Sequence, residues 1–313
     1  MRPQGIVSRL ACQAPPILAV GVFAGLLFPD LAMVLRPLLA PCVWGLLVLA
    51  MFRTDWPELA RRGRRFGLIA LIVAWLLLIS PVMIAIALDT ARAPASLTAA
   101  MVLMASAPPI MSAPALALLI GLDAPLMLVV MIAATFVVPV VLPVMALELL
   151  SLPLEVGAGA LMLRLGGVIG TAPVAAAAGR MILRRRRTPD VAPALDLIAL
   201  ILLLTFAVAI MDGVTERLVD QPYHVLTLLA AAFAGNVALQ AMAAVAFAWL
   251  DRRSSLTAAF ASGNRNMGLV LAVLPSDIDP DVLLYFALGQ IPIYIMPALL
   301  TPLYRRLLLV HTA

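Results

Sequence analysis

One arginine interrupts a long apolar stretch near the C-terminal end of this sequence. Arg265 stands in Ala261-Ser262-Gly263-Asn264-Arg265-Asn266-Met267-Gly268, between Leu256 and the run Leu269 to Leu274. At mid-depth in a bilayer a guanidinium costs about 2.5–3.5 kcal/mol even on the lenient insertion scale, so it persists where it faces the protein interior and has a partner. The chemistry it offers is recognition of an anion, because its planar fork pairs bidentately with a carboxylate. Asn264 and Asn266 present both donors and acceptors. Gly263 and Gly268 bracket the group, allowing unusual dihedrals and close helix approach. The alternative is a structural arginine, neutralised by carbonyls freed in another helix or by a buried acid.

A second polar interruption lies far upstream, in Ser106-Ala107-Pro108-Pro109-Ile110-Met111-Ser112-Ala113-Pro114. Pro108, Pro109 and Pro114 remove amide donors and free carbonyls, which lipid does not tolerate unless they face protein or a water-filled cavity. Ser106 and Ser112 add hydroxyls. Asn236 and Gln240 share a helix face at i, i+4 spacing, and Gln290 precedes Pro292; each is a candidate site residue or an interhelical bond. Arg164 and Asp212 are a candidate structural pair, Asp196 lies too near a helix end to be claimed as a proton carrier, and His224 and His311 stand at a helix start and in the tail. Cys12 and Cys42 are read as packing residues without metal-ligand spacing. Without a nucleophile–base constellation, phosphate loop or metal cluster, the chain is read as no enzyme and as needing no cofactor.

These groups must be positioned by membrane helices. Of the 313 residues, 64% are hydrophobic and 12% charged, with mean hydropathy +1.11, whereas a soluble domain is nearer half apolar and a quarter charged. Apolar runs of membrane-crossing length recur, and continuous runs mean helices rather than barrel strands. The pattern predicts about ten spans: 12–28, 32–52, 66–88, 96–120, 124–150, 157–182, 191–212, 223–250, 256–274 and 281–304. Lysine is absent, and the net charge of +5 comes from arginine. With the N-terminus inside, 16 of the 21 arginines fall on the cytoplasmic side, in the N-terminal segment, at 53–65, 180–187 and 252–253, and at 305–306. The outer loops hold acids such as Asp89, Glu155, Glu216, Asp220, Asp277, Asp279 and Asp281. That asymmetry is the positive-inside rule, so the basic runs flank membrane and do not bind nucleic acid. A bacterial inner membrane with both termini cytoplasmic is the expected setting. A reporter fused after residue 306 should be active only in the cytoplasm, and activity confined to the periplasm would refute the count.

Each half, 1–152 and 153–313, holds five expected spans, and in each the fourth is the interrupted one. Five is odd, so the second half enters the membrane upside down, as in transporters built from inverted repeats whose sites lie where broken helices meet. The expected fold is therefore an all-α integral membrane protein, a five-plus-five inverted repeat with broken, crossing helices four and nine.

Two stretches, with the ten-span plan, resemble the bile acid/sodium symporter family, which includes relatives of arsenite permeases. That family's ninth helix carries a pattern like Glu-x-Gly-x-Gln-Asn-x-Gly-Leu, matched here by Gly263, Asn266, Gly268 and Leu269. Its fourth helix breaks around a Ser-Asn pair, which falls at Ser112-Ala113. The resemblance implies transport of an organic anion and two sodium sites, and here the sequence departs from it. Ala261 stands at the family's sodium-binding glutamate, Arg265 at its glutamine, Ala113 at its asparagine, and Met127 and Met131 near two hydroxyl ligands. Sodium wants hard oxygen donors, and thioether sulfur is the wrong kind. The guanidinium is read as replacing the ion.

These readings converge on a secondary transporter that carries a small organic anion through the bilayer without sodium, with Arg265 as fixed counter-charge. Two alternatives stand beside it. One is a sodium-coupled symporter using backbone carbonyls with Ser112, Ser262 and Asn266; the other is a membrane sensor or scaffold in which Arg265 locks the crossover shut.

Overall fold

In hydrocarbon a backbone meets its own hydrogen-bonding needs as a helix, and the chain is built accordingly. The computed structural model describes residues 18, 20–54, 56, 65–150, 157–186, 191–274 and 278–309; these are helices and connecting turns, with no strand among them. The expectations for Arg2, Arg9, Cys12, Arg61, Arg62, Arg64, Glu155, Arg187, Asp277 and His311 fall outside the described residues. Among the described residues, seven helices are long and apolar enough to cross a membrane: Pro29–Arg53, Phe66–Thr90, Ala124–Leu147, Ala158–Leu183, Pro193–Asp220, Pro222–Ala246 and Pro280–Leu309. Large apolar side chains such as Phe66, Leu163, Val174 and Val245 lie exposed along them, a surface that fits lipid and not water.

In chain order the helices are α1 (20–27), α2 (Pro29–Leu35), α3 (Leu39–Arg53), α4 (Phe66–Ala74), α5 (Ser80–Thr90), α6 (Ala95–Ala105), α7 (Ala113–Ile120), α8 (Ala124–Val144) and α9 (Ala158–Arg186), followed by α10 (Ala192–Ala209), α11 (Val214–Asp220), α12 (Pro222–Ala246), α13 (Arg252–Gly263), α14 (Met267–Leu271) and α15 (Pro280–Leu309). The expected span at 96–120 is two half-helices, α6 and α7, and the one at 256–274 is α13 and the single-turn α14. The span expected at 191–212 ends as a helix at Ala209, and Gly213 at φ +75° then starts the short α11. The last helix runs on to Leu309 through Pro292, Pro297 and Pro302.

Two packing groups emerge. In one, α3 lies against α9 and α10, and α10 also covers α2; in the other, α12 packs on α13 and α15, α15 on α6, and α6 on α5. α8 joins them, touching α9 on one side and α7 on the other. Polar caps fix the ends of the first group. The Arg180 guanidinium of α9 donates to the carbonyl oxygens of Phe52 at 3.0 Å, Thr54 at 3.1 Å and Met51, and lies 5.6 Å from the Phe52 ring centre. A cation thus satisfies the orphan carbonyls at the C-terminus of α3. Asp212 pairs with Arg36 at 2.8 Å, not with Arg164. The reason is packing: α10 runs beside α2 and the turn that carries Arg36, while Arg164 points away on the exposed face of α9. At the start of α13, Asp251 accepts from the Ser254 amide at 3.0 Å, and its hydrogen bonds with Ser254 hold the carboxyl below the usual carboxylate range.

Candidate functional site

The two interrupted helices meet. Their extended segments form one antiparallel bridge between Pro109 and Arg265, in which the Ile110 amide donates to the Asn264 carbonyl at 2.9 Å and the Asn266 amide to the Pro108 carbonyl at 2.7 Å. Prolines make this geometry local. Pro108 and Pro109 have no amide hydrogen to continue α6, so the chain stays extended to Ile110, turns at Met111 and Ser112, and enters α7 with Pro114 in its first turn. On the other strand Gly263 ends α13, and the Asn266 side chain caps α14 by accepting from the Leu269 amide at 3.1 Å.

Arg265 is fully buried at this bridge. Its Nε donates to the Ser262 carbonyl at 2.7 Å, Nη1 to the carbonyls of Ala107 at 2.9 Å and Leu76 at 3.1 Å, and Nη2 to the Ser80 hydroxyl at 3.0 Å. Each of these partners is a neutral oxygen. Ser262 and Ala107 belong to the two breaks, and the third carbonyl comes from the third expected span. There a π-turn at Trp75–Ile79 shifts the Ser80 amide onto the Trp75 carbonyl, and Pro81 has no N–H with which to take that of Leu76. Leu76 and Ser80 therefore belong to the site although the sequence reading passed over them. Pro81 in mid-span was the available signal.

The carbonyls at the second break can be accounted for one by one, as buried backbone requires. That of Ser262 goes to Arg265, that of Gly263 to Asn236 Nδ2 at 2.7 Å, that of Asn264 to Ile110, and that of Arg265 to the Met267 amide at 3.0 Å. Asn236 in turn accepts from Gln240 Nε2 at 2.6 Å, and Gln240 Oε1 accepts from the Tyr304 hydroxyl at 2.6 Å. One buried side-chain atom in the described residues has no partner, Asn264 Oδ1.

A cavity of about 310 Å³ lies against the crossover. Its polar end carries Arg265, Ser112, Asn266, Gly268, Gln290 and Tyr294; its walls are apolar, with Val43, Leu46, Leu203 and Phe206; toward the ends of α3 and α10 it reaches Arg53 and Asp196, paired at 2.6 Å. The candidate residues therefore fall into two sets. Ser112, Arg265, Asn266, Gly268 and Gln290 line the cavity. Ser106, Pro108, Pro109, Ser262, Gly263, Asn264, Asn236 and Gln240 do not line it; they build and brace the crossover behind it. Ser106 turns onto its own helix, donating to the Val102 carbonyl at 2.8 Å.

The sodium positions implied by the resemblance do not fit the ion. Ala113, Met127, Met131 and Ala261 are buried and bring no side-chain oxygen. Among the described residues no group of three or more His, Cys, Asp or Glu could hold a metal ion. No protein-family model matches the chain, and no curated protein matches it.

Proposed function

We propose that this chain is a secondary transporter that carries a small organic anion across the bacterial inner membrane without sodium, and that it is a divergent relative of the bile acid/sodium symporters. The observation that carries the reading is a guanidinium with only neutral partners at the crossing of two broken helices, beside a cavity. Four oxygens around a fixed cation, three carbonyls and a hydroxyl, are the set a bound alkali ion would use. A cation built into the chain holds the two breaks together in every state and is not carried. Its charge, paired with no acid among the described residues, gives the cavity a positive potential that favours a carboxylate. The amide groups at the N-termini of α7 and α14 point the same way.

In this reading the ten expected spans form the five-plus-five inverted repeat, α3 with α9 and α10 moves against the rest, and the cavity faces the cytoplasm, because it reaches the arginine-rich end of α3. The cavity favours transport over a locked scaffold, which would need no such volume beside the crossing. The test is uptake of labelled carboxylates into vesicles that hold the purified protein. Uptake is expected to be saturable and unchanged when sodium is replaced by potassium at equal ionic strength. An absolute requirement for sodium, or stabilisation by sodium and not by potassium, would overturn the sodium-independent reading.

A further inference from the structure

Among the described residues three charged side chains line the cavity: Arg265 at the crossover, and Arg53 and Asp196 toward its other end. Arg53 and Asp196 cancel each other, with Nη2 2.6 Å from Oδ1, and they sit on α3 and α10, which lie side by side. Arg265 has no such counterpart. It is fully buried, and its four bonds run to the carbonyls of Ser262, Ala107 and Leu76 and to the Ser80 hydroxyl. Those dipoles hold the cation in place and leave its charge uncancelled. The empty cavity thus carries one net positive charge, and a bound monoanion brings it to neutrality.

The cavity is also closed at one end. Phe206 lies about three turns beyond Asp196 on α10, and its ring edge rests on the backbone of α14. A Cβ on Gly268 would lie 2.8 Å from Phe206 Cζ and 3.5 Å from Val43 Cγ2, an approach that glycine permits. With this end shut, cargo crosses only if the cavity closes around it and reopens on the other side.

We propose that the chain is an obligate exchanger of monoanions: it turns across the bilayer with one bound and stays on one side when empty. The deciding step is closure. A site closing around an uncompensated guanidinium strips away the water that screens its charge, whereas a guanidinium with a carboxylate enters the closed state as a neutral pair. Each anion that enters is therefore matched by one that leaves, and the exchange moves no net charge. A dianion fails for the converse reason: it leaves one negative charge over, since Arg53 is held by Asp196. The walls, with Val43, Leu46, Leu203 and Phe206, take an apolar body. This inference rests on the transporter reading and adds the mode of transport; the vesicle test of that reading then needs anion on both sides.

Phenylglyoxylate is a suitable probe, a monocarboxylate with an apolar body whose acid is too strong to cross lipid in neutral form at neutral pH. Vesicles holding the purified full-length protein are loaded with unlabelled phenylglyoxylate, with the dianion phenylmalonate or with neither. Entry of labelled phenylglyoxylate is expected to be at least about tenfold faster into the phenylglyoxylate-loaded vesicles than into the other two, the factor a modest difference in closing barrier produces. A potassium diffusion potential of either sign should leave the exchange rate unchanged. Asp196→Asn frees the charge of Arg53, so that two negative charges are needed for neutrality. In that variant phenylmalonate should exchange against itself, and phenylglyoxylate exchange should fall. Equal entry into empty and loaded vesicles, exchange that responds to the potential, or an Asp196→Asn protein with wild-type selectivity overturns the inference and leaves the transporter reading standing. Entry into none of the vesicles overturns it as well, and uptake of other carboxylates by anion-loaded vesicles decides the transporter reading by itself.

Discussion

Replacing Arg265 with alanine is expected to abolish uptake and to lower the melting temperature of the detergent-solubilised protein sharply. The side chain satisfies three carbonyls and a hydroxyl at once, those of Ser262, Ala107, Leu76 and Ser80. The Leu76 carbonyl and the Ser80 hydroxyl keep each other at 3.2 Å. The carbonyls of Ser262 and Ala107 are left unpaired at about 1–3 kcal/mol each, so the total reaches several kcal/mol, a large part of the stability of most proteins. Two further variants separate lock from counter-charge. Lysine keeps the charge but, as a compact ammonium, reaches fewer of these oxygens; glutamine loses the charge and keeps two donors. If the positive charge draws the anion, Arg265→Lys retains measurable uptake and Arg265→Gln does not, even where the two melt at similar temperatures. Uptake that simply follows melting temperature across the series would leave the arginine as a lock alone. Wild-type uptake in a well-folded Arg265→Ala protein would rule out both roles.

Gly263→Ala should be nearly as damaging, for a steric reason. A Cβ on Gly263 would lie 2.5 Å from Gln240 Cγ, 2.6 Å from its Nε2 and 2.8 Å from the backbone oxygen of Asn236. The glutamine cannot turn away without giving up Asn236 and Tyr304, and the Asn236 carbonyl moves only if α12 moves. Overpacking of this kind costs about 1–3 kcal/mol, and here it also prises apart the Asn236 bond to the Gly263 carbonyl. The expected result is a lower melting temperature and loss of uptake. The control is Gly167→Ala on α9, where a Cβ would meet open space, with wild-type stability and uptake. An unchanged Gly263→Ala protein would show that α12 and α13 are not packed as described.

Much of this protein is legible in the linear sequence, because the bilayer leaves few choices. An apolar run of some twenty residues has to be a helix there, so the elements at 66–90, 124–147, 158–183 and 222–246 fall where hydropathy places them. Proline and glycine act on their own backbone, so the interruptions at Pro108-Pro109 and at Gly263 could be placed without knowing any neighbour. A charge amid leucines announces that Arg265 must have partners.

Which partners could only be decided in three dimensions. The guanidinium reaches an oxygen of Ser80, 185 positions away in the chain, and nothing local to either residue signals the pairing. From their spacing Asn236 and Gln240 could line a site or, as amides in membranes more commonly do, brace a helix; the approach of α12 to Gly263 makes them braces. Arg164 and Asp212 were opposite in charge and alike in expected depth, yet the packing of α10 on α2 gives Asp212 to Arg36. Asp196 looked like an end-of-helix acid until the cavity placed it, with Arg53, in an apolar wall. The division has one physical cause. Backbone conformation in lipid is set by residue type and solvent, short-range quantities written in the sequence, whereas the pairing of polar side chains depends on which helix faces are neighbours, and packing alone settles that.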